Sequence, residues 1–186
     1  QEKPAGKRGF IKASGEQLVV ADNTGARFWG TNLSAYTLFL TPDDAIKQQA
    51  KRLSALGFNL VRLHHHDSPW VLPNIFGDGR VTRSTQQLSP ESQRKIDWWI
   101  KCLKDEGIYV WLDLHVQRVF TENDNIFGFD ELPKEEQNFT YLKGYSYVNL
   151  TIQKAMKRFT EDYLTHVNSY TGLAYKDDPA IAAVLI

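Results

Sequence analysis

LSPESQRKIDWWIKCLKDEGIYVWLDLHV, residues 88–116, decides the fold. Its first part has the grammar of a helix: Ser89 as the cap, Pro90 at the first helical position, Glu91 behind it, and apolar residues at Ile96, Trp99, Ile100 and Leu103. A capping hydroxyl accepts from otherwise unpaired backbone N–H groups, proline's fixed φ suits the first position, and an acid there complements the helix dipole. Gly107 ends the helix. IYVWLDLHV then follows almost without a loop, as the near-continuous apolar run of a strand covered on both faces.

The same unit occurs elsewhere in the chain. RFWGTNLS, residues 27–34, reads as a strand, and Thr41 as a capping hydroxyl, Pro42 at the first position and Asp43 and Asp44 in the first turn start a helix that runs to about Leu56 and stops at Gly57. FNLVRLH, residues 58–64, is the second strand, and a long loop to about Gln87 precedes the helix quoted above. After IYVWLDLHV comes an irregular stretch from Gln117 to about Tyr147, then a helix from Asn149 to about Val167, and AIAAVLI as a fourth strand. Alternation of this kind requires parallel strands joined by right-handed crossovers. No glycine-rich phosphate loop follows the first strand, and the long polar connections all come after strands, which favours a TIM-type (β/α)8 barrel over an open nucleotide-binding sheet. Gly15, Asn23 and Gly25 punctuate short alternating pieces before the first strand. The expected organisation is an N-terminal β-hairpin segment, residues 1–26, and the first half of a (β/α)8 barrel, residues 27–186, broken off in its fourth strand.

Composition limits the function. The chain has 186 residues, and Lys plus Arg equal Asp plus Glu at 22 each, so no global field draws in nucleic acid or an anionic membrane. No apolar run approaches the roughly 20 residues of a membrane span. One cysteine, Cys102, excludes an internal disulfide and a multi-thiolate zinc site. Much of the aromatic content, five Trp, eight Tyr and ten Phe, can be core, but Trp29, Trp70 and Trp111 lie beside polar clusters. The apolar C–H faces of sugars stack on such rings.

The polar clusters fall at strand ends. In LVRLHHHDSP, residues 60–69, alternation puts Arg62 and His64 on one face, with His66 next in step and His65 opposite unless the chain has already turned. In WLDLHV, Asp113 and His115 share a face. If these faces look into the barrel, Arg62, His64, Asp113 and His115 meet at its mouth with Asn32 of the first strand. An inward arginine needs an anion, and a catalytic carboxylate would serve. The simpler alternative is an Asp113 and His115 pair that only stabilises the interior. A metal-dependent hydrolase using His64 to Asp67 has suitable ligand types, but consecutive histidines are not a recognised ligand spacing, so no metal and no cofactor is assigned.

RFWGTNLS, LGFNLVRLHHHD, GIYVWLDLHV and VNSYTGLAYKDDPAIAAVLI resemble, in that order, the first half of bacterial cellulase-like glycoside hydrolases of clan A, family 5 and its near relatives. TGLAYKDDPAIA is the most specific piece, with Ser169 before it where many members carry proline. The resemblance implies a retaining hydrolase of β-glycans such as glucan or mannan. Arg62 matches an arginine that supports the nucleophile, His115 a histidine lining the subsite of bond cleavage, His64 and His65 the second-strand histidine motif, and Asn32 a looser match on strand one. The family's acid/base and nucleophile glutamates would lie beyond Ile186, with Asp67, Asp113 and Glu122 as the only substitutes. The implied partner is therefore a polysaccharide or oligosaccharide, the location secreted or periplasmic, and the isolated chain inactive. The alternative is a half-barrel module that binds carbohydrate without chemistry. Open strand edges near Trp29 and Val184 would pair with a second copy or with a C-terminal half.

Overall fold

The structure is a computed structural model that describes residues 2–78, 84–132 and 142–186. Three short antiparallel strands come first, β1 (Lys12–Ser14), β2 (Gln17–Val19) and β3 (Gly25–Ala26), in the order β1-β2-β3. Four parallel strands follow, β4 (Gly30–Ser34), β5 (Leu60–His64), β6 (Tyr109–Asp113) and β7 (Ile181–Leu185), and their order in the sheet is their order in the chain. Each parallel neighbour is reached through a helical crossover, so the fold is a partial (β/α)8 barrel preceded by a small antiparallel sheet.

The crossover helices are α1 (Ala35–Leu40) with α2 (Asp43–Ala55), α3 (Pro90–Asp105), and a short α4 (Leu142–Tyr145) with α5 (Leu150–Thr165). The sequence signal at α3 acts as expected, and α5 has a cap of the same kind. Ser89 Oγ accepts from the Ser92 N–H, and Asn149 Oδ1 accepts from the N–H groups of Thr151 and Ile152. Thr41 is a correction. Its hydroxyl donates to the Thr37 carbonyl at 2.7 Å and closes α1, so α2 begins one residue beyond Pro42 without a side-chain cap. Helix α1 itself was not foreseen, because AYTLFL carries no start signal and reads as the apolar end of the preceding strand.

One face of the parallel sheet is closed. Leu33, Val61, Leu63, Val110 and Leu112 point to it and pack with Leu38, Ile46, Ile96, Trp99, Ile100, Leu103 and Phe159 of the helices. Each large aliphatic side chain so buried contributes about 1.5–3 kcal/mol. The other face would look into a closed barrel and is incomplete here. Asn32 is exposed, Arg62, His64 and Trp111 are half-buried, and Leu185 is exposed, whereas parallel strands normally have cover on both faces.

The floor of the sheet is shut by the N-terminal segment. Ala5 is buried with Tyr109 and Ala180, its N–H donates to the Lys104 carbonyl at 2.8 Å, and the Tyr109 hydroxyl donates to the Glu2 carboxylate. Two glycines permit this fit. Gly6, at φ +78°, would put a Cβ 2.6 Å from the Ala180 nitrogen, and Gly107, at φ +79°, would put one 2.2 Å from the Glu2 carbonyl oxygen.

Candidate functional site

The chemistry-bearing side chains gather at the C-terminal ends of β5 and β6. Arg62 lies opposite Trp111 in the register, so the next inward residues, His64 and Asp113, stand side by side one step further on. Arg62 Nε donates to both oxygens of Asp113, at 2.9 and 3.0 Å, and His64 Nδ1 lies 2.5 Å from Asp113 Oδ2. The Asp113 side chain is wholly buried, and these two partners compensate its charge. A carboxylate accepts, so His64 Nδ1 donates to Asp113 and Nε2 is left outside the pair. Arg62 also lies against the Trp111 ring, its Cζ 5.9 Å from the centroid. Asn32 is Arg62's neighbour on β4.

The three consecutive histidines diverge, because the chain turns as soon as β5 ends. His65 has φ +59°, a left-handed conformation that side-chain-bearing residues seldom adopt. Its Nδ1 lies 2.8 Å from Ser68 Oγ, and its ring is 4.1 Å from that of His64. The turn corrects the expected alternation: His66 does not join Arg62 and His64. It is fully buried and stacks on Tyr163 at 5.4 Å with the rings 5° from parallel. Burial pushes its pKa below the ordinary histidine value, against the pull of Asp67 and Asp113. The Leu114 backbone is close enough to favour the charged form, but neither ring nitrogen meets a partner at hydrogen-bond geometry.

Asp67 is a clamp. Its carboxylate accepts from the backbone N–H groups of Val116, Gln117 and Arg118 at 2.8, 2.9 and 3.1 Å, and so ties the loop after β5 to the loop after β6. Among the described residues no group of three or more His, Cys, Asp or Glu side chains is placed to hold a metal ion. Glu122, the third substitute carboxylate, sits exposed in a single 3-10 turn, Glu122–Asp124.

His115 does not pair with Asp113. It lies beyond the end of β6, its ring 5.0 Å from Phe159 and its Nε2 3.4 Å from Thr160 Oγ1. Burial lowers its pKa to about 4, with Asp67 opposing and nearby Arg118 adding to the shift. With Phe120, Tyr147, Met156 and Ile186 it lines a hollow of about 410 Å³. Arg118 beside it is buried among the rings of Phe76, Phe120 and Phe159, and its guanidinium donates to Thr85 O, Thr85 Oγ1 and Ala155 O.

The structure thus brings Arg62 and His64 together on Asp113, with Asn32 and His65 adjacent, and places His115 on a separate wall of the same end of the sheet. The clamp by Asp67 and the pinning of Arg118 were not foreseen. Their partners lie far away in the chain, and neither residue type announces such a role. Tyr36, in the first turn of α1, was also missed.

No family model matches the chain. Two curated proteins of Oryza sativa subsp. japonica do. Mannan endo-1,4-beta-mannosidase 1 is 25% identical over 98% of this chain and 41% of its own length, and mannan endo-1,4-beta-mannosidase 4 is 27% identical over 94% and 37%. The chain thus spans about two fifths of the length of the curated relatives it matches. Among solved structures, the endo-1,4-beta-mannanase of Rhizomucor miehei superposes with a TM-score of 0.66 at 21% identity, covering 95% of this chain and 47% of that one. A glycoside hydrolase family 5 mannosidase of the same organism gives 0.66 at 15% identity, covering 94% and 47%.

Proposed function

We propose, from the chain's place among the cellulase-like glycoside hydrolases of family 5, that it forms part of the sugar cleft of a retaining enzyme acting on a β-linked mannan. The observation that carries the proposal is the cluster of Arg62, His64 and Asp113 at the C-terminal strand ends, on a chain collinear with mannanases over nearly its whole length. That end of a barrel is where its enzymes do chemistry.

Asn32, Arg62, His64, His65 and His115 line the cleft. Asp113 sets the rotamers of Arg62 and His64, leaving His64 Nε2 and the two Arg62 amino groups for sugar hydroxyls or for a carboxylate beside them. Chemistry by this chain alone is not expected. Retention requires two carboxyl groups about 5 to 5.5 Å apart, whereas Asp113 is taken by Arg62 and His64 and Asp67 by three backbone N–H groups. The resemblance implies an acid/base and a nucleophile outside the residues described, and a polymeric substrate fits an enzyme of the secreted or periplasmic space.

The test is affinity electrophoresis of the full chain through galactomannan, followed by titration with mannohexaose and an assay for released reducing sugar. Retardation weakened by His64→Ala, with no sugar released, supports the proposal. Migration unchanged by every β-mannan and β-glucan would overturn it, and release of reducing sugar by the chain would overturn the expectation that its own carboxylates do no chemistry.

A further inference from the structure

Two rings near the cluster are exposed without being loose. Trp70, in the loop after β5, is 44% exposed, and Tyr36, in the first turn of α1 directly after β4, is 53% exposed. Their centroids are 5.5 Å apart. The Tyr36 hydroxyl donates to the Trp70 carbonyl at 3.1 Å, and Trp70 Nε1 donates to Gln117 Oε1 at 2.7 Å. Three strand ends are thereby tied through one indole, because Gln117 belongs to the loop that Asp67 clamps.

Exposure alone does not set these rings apart, since Trp29, Phe127 and Tyr147 are more exposed; the bracing of the pair beside the cluster does. Here the polar atom of each ring is directed inward to the protein, and the rings remain in solvent. His65 links the pair to the rest of the cluster. Its ring is 5.1 Å from Trp70 and 4.1 Å from His64. A line of rings therefore leads from Asp113 through His64 and His65 to Trp70 and Tyr36.

We infer that Trp70, braced by Tyr36 whose ring is tilted 48° to it, forms a stacking platform for a hexopyranose ring of the glycan, one subsite removed from the Asp113 cluster. The inference rests on the proposed glycan reading and names a further subsite within it. Both rings are fixed before the ligand arrives, so little conformational entropy remains to be lost on binding. The C–H face of the sugar covers the indole, and its hydroxyls remain in water.

The experiment is oxidation of the full chain with N-bromosuccinimide, with and without mannohexaose, mapped by peptide mass. Trp29, 68% exposed and at the opposite end of the strands, is the internal reference. The expected result is that mannohexaose protects Trp70 and leaves Trp29 reactive. Trp70→Ala should weaken binding about ten-fold, and Trp70→Phe should restore most of it. If mannohexaose binds while Trp70 oxidises at its free rate, the platform is overturned and the glycan reading stands. If no β-mannan or β-glucan oligosaccharide binds, both are overturned. The protection arm uses the unaltered chain, so it decides the matter even if a substituted chain fails to fold.

Discussion

Arg62 Nε lies 2.9 and 3.0 Å from the two oxygens of Asp113, and this contact joins β5 to β6 by a side-chain pair beyond the ladder of backbone bonds. Losing either partner of a fully buried ion pair costs about 3 to 5 kcal/mol, and partial solvent access to Arg62 reduces this. Arg62→Met should destabilise the chain by about 2 kcal/mol in urea denaturation. A double-mutant cycle with Asp113→Asn should show coupling above about 0.5 kcal/mol. Strict additivity would mean that the pair contributes nothing.

Asp67→Ala removes the acceptor of three backbone N–H groups, leaving donors near the mouth of the cleft unpaired. Hydrogen bonds to a charged group each contribute about 1.5 to 3 kcal/mol, so the loss of three of them is expected to cost about 4 to 5 kcal/mol at the low end of that range. Hydrogen exchange should accelerate first at Val116, Gln117 and Arg118. Uniform acceleration over the whole chain would contradict the role of a local clamp.

Acid should destabilise the fold through buried imidazoles. For His115 the folded pKa, about 4, lies below the ordinary 6.5, so the unfolded chain takes up the proton first as pH falls. The stability present above pH 6.5 is therefore lost progressively down to about pH 4, and amounts to roughly 3 kcal/mol. His66, lowered for the same reason, adds to the loss. Melting temperatures measured from pH 7 to pH 4 should fall, and His115→Gln should flatten the curve. A slope unchanged by this substitution would assign the acid sensitivity to other groups.

Strands β4 and β7 are the sheet's edges, and the face between them is only partly covered. Unpaired strand edges recruit other strands. The isolated chain is expected to self-associate with rising concentration in analytical ultracentrifugation, and Val184→Lys, on the half-exposed end of β7, should favour the monomer. A monomer at every concentration would show that the edges are protected by their own geometry.

The alternation of strands and helices was legible because strong punctuation accompanies it: Ser89 and Pro90 at the start of α3, and Gly57 and Gly107 after their helices. The partial barrel followed from that order, and Arg62 and His64 followed from the period-two pattern of β5. The pattern misleads one residue later. A left-handed histidine carries no mark in the sequence, so nothing announces that His65 turns the chain and sends His66 into the aromatic core. Thr41 misleads in a different way, because a hydroxyl can cap the next helix or bond back to the previous turn, and only the presence of α1 decides between them. Asp67 was legible as a carboxylate but not as a clamp, since its donors come from a loop about fifty residues away.

The wedge of Glu2, Ala5 and Gly6 beneath β6 and β7 also sets how the molecule can be handled. Anything fused ahead of Glu2 departs at the end of the strands opposite to His64 and Trp70. A surface, dye or affinity handle attached there would leave the rings and the Arg62 pair facing the bulk solution, so immobilised chains can be presented to long polysaccharides without obstructing the groups that would meet them.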